Sequence, residues 1–239
     1  SPDESHVKTY RHGYRDPNES APMPQFRVRM DWNNLSYTQF AAQSQGLSHQ
    51  PQTMTYGHRL ESRFGAWTVG LHEIMVSGRD DTDWVYFLPL VPFFVAEHHT
   101  GDRDNVTLGL DLNYQLSRLG RIYTELFLDD LLSPGALLDN YWGNKYAWTM
   151  GSEWVNLWPG MTYSLEYARV EPWMYSHHTK NGQLQHYGAL LGSVIPPNSD
   201  QMDTKLRQDL GFQWSLELAF THRRHQAKAR GSSILHIHD

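Results

Sequence analysis

VTLGLDLNYQLSRLGRIYTELFLDD, residues 106–130, reads as two strands joined by a tight turn. Val106, Leu108, Leu110, Leu112 and Tyr114 alternate with Thr107, Gly109, Asp111, Asn113 and Gln115. That period of two puts successive side chains on opposite faces of a strand. Alternation resumes after the turn, through 121–129. One face of this hairpin is continuously apolar, and the other carries Asp111 and Glu125. The fold turns on which of the two faces inward.

Working outward, the same pattern recurs in pairs. FRVRMDW (26–32) precedes LSYTQFAAQS (35–44), and TMTYGHRLESR (53–63) precedes WTVGLHEIMVS (67–77). Beyond the opening pair come NKYAWTMGSEWV (144–155) with MTYSLEYARVE (161–171), then TKLRQDLGFQ (204–213) with SLELAFTHRR (215–224). Within a pair the turn is short: Asn33-Asn34, Phe64-Gly65-Ala66, QLSRLG, NLWPG and a bend near Trp214. Between pairs the connections are long, at 45–52, 78–104, 130–143 and 172–203. About ten antiparallel strands of about ten residues, with short and long connections in strict alternation, are the plan of an up-and-down transmembrane β-barrel. The expected organisation is an N-terminal extension over 1–25, a meander over 26–224 and a tail over 225–239.

If this is a barrel, the greasy face of the opening hairpin is the outside. A basic side chain on the lipid face costs about 2–4 kcal/mol at mid-bilayer. Asp111, Glu125, Glu153, Glu166 and Arg59 are therefore expected to face the lumen, with Arg27, Arg29, Glu61 and Arg63 alongside. Trp148, Trp154, Tyr146, Tyr163 and Tyr167 fall on the outward face near strand ends, where an aromatic girdle belongs. A soluble β-sandwich with an aromatic core is the competing reading.

Bulk composition narrows the function classes. The chain has 239 residues, a net charge of −6, and nine Trp with thirteen Tyr. No basic stripe suits nucleic acid; HRRHQAKAR at 222–230 reads as a solvated segment. Cysteine is absent, which removes disulfides, thiol chemistry and cysteine-bound zinc. No run of eighteen apolar residues supports a membrane-spanning helix. The most apolar window, WVYFLPLVPFFVA at 84–96, is short and holds Pro89 and Pro92; residues 87–94 are expected to pack against the sheet.

Candidate chemistry is thin. Asp129 and Asp130 are adjacent carboxylates, and adjacent residues on a strand cannot flank one glycosidic bond, so capping or pairing is expected of them. Histidine clusters at His98-His99, His177-His178 and His236-Ile237-His238 lack metal-ligand spacing. No nucleophile elbow or phosphate loop occurs. No catalytic set, metal or cofactor is expected. The longest connection mixes Trp173, Tyr175 and Tyr187 with Asn181, Gln183, Gln185, Asn198 and Asp200. Rings beside amides and a carboxylate suit sugar recognition, because a pyranose face stacks on a ring while its hydroxyls bond at the edge. A loop that merely folds back to plug the barrel is the alternative.

The sequence resembles the Wzi family of capsule-assembly outer-membrane proteins. The resemblance runs in order through GHRLESR (57–63), VGLHEIMVSG (69–78), FLPLVPFF (87–94), DRDNVTLGLDL (102–112), ELFLDDLL (125–132), LEYARVEPWMYSH (165–177) and HYGALLGSVIPPNSDQM (186–202). It implies a non-enzymatic surface lectin in the outer membrane of a Gram-negative cell, holding capsular polysaccharide, with membrane lipid and other envelope proteins as partners. Family barrels are about twice this size, so the chain is expected to be part of a larger barrel. The expected sugar contacts are Trp173, Tyr175, His177, Tyr187 and Asp200, joined by Tyr141 and Trp142 from the preceding long loop. A porin-like channel or a structural subunit of a larger envelope assembly is the rival function. An enzyme using Asp129 or Glu153 is a third.

Overall fold

The structure is a computed structural model. It describes residues 22–45, 52–77, 84–93, 104–130, 145–176, 182–187, 189–193, 195–226 and 230–233. Ten strands form one antiparallel sheet: β1 (Gln25–Trp32), β2 (Leu35–Gln45), β3 (Gln52–Phe64), β4 (Trp67–Ser77), β5 (Asn105–Leu116), β6 (Gly120–Asp130), β7 (Lys145–Val155), β8 (Met161–Val170), β11 (Ser199–Gly211) and β12 (Trp214–His225). Within this sheet the strands pair in chain order from β1 to β8, β11 pairs with β8, and β12 with β11. Between those two, β9 (Gln185–His186) and β10 (Ala189–Leu190) make a two-residue hairpin of their own.

The sheet is open. β1 and β12 are its two edges and do not pair with each other among the described residues, so the expected barrel closure is not present in this arrangement. What the structure does share with a barrel is shear. The cross-strand row that begins at Leu35, first residue of β2, runs through Ser62, Val69, Leu112, Thr124, Met150, Tyr167 and Met202. It ends at His222, well along β12. A stagger that accumulates in one direction is what tilts strands relative to a common axis.

Short turns sit at one end and long connections at the other. Asn33 takes a φ of 45°, which suits the two-residue hairpin between β1 and β2 because asparagine tolerates the left-handed region. Gly65 does the same between β3 and β4 with a φ of 58°.

One strand boundary departs from the sequence reading. β11 starts at Ser199, not near Thr204. Asp200 lands on the otherwise apolar face and breaks the alternation that marks a strand; it is held there by Arg224, whose Nη2 lies 2.8 Å from Asp200 Oδ2. The charge pair hides the strand from a hydrophobicity pattern.

Two apolar clusters cover opposite faces. Val76, Phe127, Ala147, Ala168 and Val170 pack with Met174, Tyr175, Leu184 and Ile195 from the connection between β8 and β11. On the other face Tyr56, Met75 and Val106 pack with Tyr86 and Phe93. Of the segment 87–94, expected to lie against the sheet, residues 87–93 are described: Phe93 is fully buried and Phe87 packs on the same cluster, as does Tyr86 just before it, whereas Leu88 and Leu90 are exposed.

Candidate functional site

The cross-strand registers place Arg59, Asp111, Glu125, Glu153 and Glu166 on one face of the sheet, as the alternation required. Glycines make room for them to lie flat. A Cβ at Gly70 would overlap the Arg59 guanidinium and the Asp111 carboxylate, and one at Gly109 would overlap the His72 ring. Gly151 is covered in the same way by Tyr123. Long side chains thus cross the neighbouring strand over a residue with none, and meet partners two strands away.

Arg59 is the hub. Its Nη2 lies 2.8 Å from Asp111 Oδ1, its Nη1 pairs with Asp111 Oδ2, and Glu61 Oε2 stands 3.2 Å from Nη2. Arg63 closes on the other Glu61 oxygen at 2.8 Å. His72 lies between two carboxylates, with Nδ1 3.7 Å from Asp111 Oδ2 and Nε2 3.6 Å from Glu125 Oε1. Farther along, Tyr123 donates to Glu166 at 2.6 Å and Arg121 pairs with Glu153 at 2.8 Å. Ligand atoms of His72, Asp111 and Glu125 fall within 4.8 Å of one another, a spacing a cation could use. A cation there competes with the Arg59 guanidinium, which already grips both Asp111 oxygens in the bidentate geometry that favours arginine. The network joins three arginines to Glu61, Asp111 and Glu153, with Glu166 on the Tyr123 phenol and Glu125 beside His72, and a polar wall is its plain chemical role.

The described parts of the connection between β8 and β11 (171–176, 182–187, 189–193 and 195–198) cover the long-loop end of this face. Asp129 accepts the Tyr175 N–H at 2.7 Å, which is the capping role expected of that carboxylate. Asn105 Nδ2 donates to the Gly182 carbonyl at 2.8 Å. The Tyr187 N–H donates to Gln45 O at 2.6 Å, and the Gln45 N–H donates to His186 Nδ1 at 3.1 Å. One connection therefore touches β6, β5 and β2 in turn. Burying Met174, Leu184 and Ile195 contributes about 1.5–3 kcal/mol each.

Among the described residues, the expected sugar contacts Trp173, Tyr175, Tyr187 and Asp200 do not form one open surface. Tyr175 has 0% exposure and its ring meets Phe127 at 5.9 Å, so it is a core ring and offers no stacking face. Burial, with the Asp129 and Glu125 carboxylates nearby, pushes its phenol well above the ordinary range. Gln183 and Gln185 are buried and bonded to each other at 2.7 Å. Trp173 is half-buried, its N–H on the Gly231 carbonyl at 2.8 Å. Asp200 sits on the apolar face with Arg224. Tyr187 alone of the described set is open, at 60% exposure. His177, Tyr141 and Trp142, with the histidine clusters, lie outside the described residues.

Sequence reasoning missed Tyr37, Gln39, His58 and Glu73, four polar groups on the apolar face. His58 Nε2 lies 2.7 Å from Glu73 Oε2. Their signal was present as polar letters at apolar positions, but nothing local said what they meet.

The molecule is an antiparallel β-meander with one polar and one apolar face, its polar face capped at one end by a long connection. No family model, curated relative or solved structure matches the chain.

Proposed function

We propose that this meander is the wall of an outer-membrane β-barrel that binds or organises surface polysaccharide through its long connections, without catalysing a reaction. The observation that carries the membrane reading is the apolar face itself. Leu71, Leu110, Met150, Leu165, Leu218 and Phe220 all reach the surface there. At the short-turn end the same face carries Trp32, Phe64, Trp67, Tyr114, Trp154, Tyr163 and Trp214, with Trp67 and Tyr114 in ring contact at 4.6 Å. Tyr146, Trp148 and Tyr167 lie on it towards the other end, Trp148 and Tyr167 meeting edge to face at 5.8 Å. An apolar band between two aromatic belts matches a bilayer with its interfaces. In a soluble sandwich these rings would need a large second sheet packed over them; the described residues form only the two-residue β9/β10 pair besides, in the connection that packs on the opposite face.

The lectin reading draws support from the resemblance to the Wzi family and from the packed connection 171–198. A porin-like channel needs an open lumen, whereas this connection fills the mouth of the polar face with Met174, Tyr175 and Leu184. Arg59 and Arg121 pair with Asp111 and Glu153 on the polar face, which favours a structural use of these two carboxylates over glycoside hydrolysis.

A titration of the detergent-folded protein with surface polysaccharide from its source cells tests the function. Saturable binding is expected, weakened by Tyr187→Ala, with Tyr175→Ala acting only through stability. Steady conductance in planar bilayers with no glycan binding would overturn the lectin in favour of the channel.

A further inference from the structure

Tyr37, Gln39, His58 and Glu73 lie together on the apolar face of β2, β3 and β4, and all four meet the segment 84–93. Gln39 Nε2 donates to the Tyr86 carbonyl at 3.0 Å. The Leu90 N–H donates to the Tyr37 hydroxyl at 3.0 Å, and the Phe93 N–H to Glu73 Oε2 at 2.7 Å. The Phe93 ring covers His58 at 4.3 Å. Within the segment, Leu88 N–H bonds the Val85 carbonyl at 3.2 Å, and Pro89 and Pro92 bring no donor at all.

The segment therefore runs down the outside of the sheet with its backbone polarity answered by side chains from the strands. It reaches mid-strand: Leu90 lines one groove with Leu60, Leu71 and Leu110, a cross-strand row near the middle of β3, β4 and β5. Irregular backbone is tolerated at membrane depth only where protein satisfies it; Tyr37, Gln39 and Glu73 each answer one backbone group of the segment, and His58 packs beneath the Phe93 ring. Between segment and strands lies a groove of about 470 Å³ walled by Leu60, Leu71, Leu108 and Leu110, with Leu90 and Pro92 on its rim. Leu88 and Leu90 point outward at 52% and 64% exposure.

We propose that residues 84–93 lie at hydrocarbon depth against the outside of the sheet, and that the groove beneath them holds a lipid acyl chain. This rests on the membrane reading above. A hydrocarbon chain is the occupant the walls select. β3, β4 and β5 are paired on both sides and have no edge to add a peptide strand to. Glu73 and Tyr37 are already engaged by the segment and the Phe93 ring covers His58, so the wall offered to a ligand is chiefly leucine.

Absence of native cysteine makes the test clean. Leu90→Cys and Met150→Cys, each labelled with bimane, are folded into phosphatidylcholine vesicles carrying a nitroxide at mid-acyl chain. Met150 lies on the open apolar face of β7, away from the segment, and reports membrane contact alone. Both labels should be quenched by the nitroxide and spared by aqueous iodide. Tyr37→Phe, which removes the partner of the Leu90 N–H, should lower quenching at position 90 several-fold and leave position 150 unchanged. Iodide quenching at 90 with nitroxide quenching at 150 overturns the proposal and leaves the membrane reading standing. Nitroxide quenching at neither position sinks both.

Discussion

A methyl group at Gly70 would collide with the Arg59 guanidinium and the Asp111 carboxylate, which meet directly above that residue. Gly70→Ala thus forces the pair apart, and overpacking of this kind costs about 1–3 kcal/mol. Asp111→Ala does more harm. It leaves a largely buried guanidinium with Glu61 as its remaining partner, a loss of about 3–5 kcal/mol for a broken buried pair. Urea midpoints of the detergent-folded variants should fall in that order, and equal midpoints would show the polar face to be too wet for pairing to matter. At this scale the sequence revealed the faces but not the partners. Asp111 and Glu125 alternate with leucines and declare their side of the sheet, while Arg59 stands far off in the chain and is joined to Asp111 only by strand register. The glycines opposite them have no pattern until neighbouring strands are aligned.

Connections were harder to read than strands, and the longest one shows why. A strand has a period, so its ten-residue alternation is visible in one dimension; a packed connection is fixed by scattered contacts such as Asp129 on the Tyr175 N–H. Tyr175 looked like a sugar platform because aromatic letters carry no mark of burial. Asp129→Ala removes a charge-assisted bond worth about 1.5–3 kcal/mol. It should expose 171–198 to added protease while the strands stay protected; unchanged cleavage would mean that apolar packing alone holds the connection. A second tether is pH-sensitive. His186 has 2% exposure, and burial holds its pKa below the ordinary imidazole value, partly offset by the Pro22 backbone. The released connection binds the proton more readily than the docked one. Docking is therefore fully stabilised above the ordinary value near 6.5 and weakens as pH falls below it. Protonation also takes the Nδ1 lone pair that accepts the Gln45 N–H. Exchange of the Tyr187 amide, corrected for its intrinsic rate, should accelerate between neutral pH and pH 5, and His186→Asn should flatten that response. An unresponsive wild-type amide would exclude His186 as the controlling group.

Over the whole molecule, the meander and its two faces follow from composition, alternation and turn spacing, whereas closure depends on what lies along the two edges. β12 is exposed along all twelve residues, and its apolar face shows Trp214, Leu216, Leu218 and Phe220. β1 presents Phe26, Val28 and Trp32 on the same face. Both edge strands are long and without proline, β1 has no bulge, and apart from Arg224 their Arg, Asp and Glu side chains lie on the polar face and leave the apolar face of each edge unguarded. In hydrocarbon each unmet backbone group costs several kcal/mol, so an open edge there is not sustainable. The edges are therefore expected to be paired in the membrane, with each other or with further strands. Amide exchange distinguishes this from the open sheet without presupposing the partner. In an antiparallel edge strand alternate N–H groups point away from the neighbour. An open edge thus gives β12 a fast and slow alternation, with the slow half bonded to β11. A paired edge gives uniformly slow exchange, matching β5 and β6 in the middle of the sheet. Uniform protection along β12 in bilayers is the expected result. Persisting alternation there would mean that the edge faces water, and the apolar band would then need a protein partner in place of lipid.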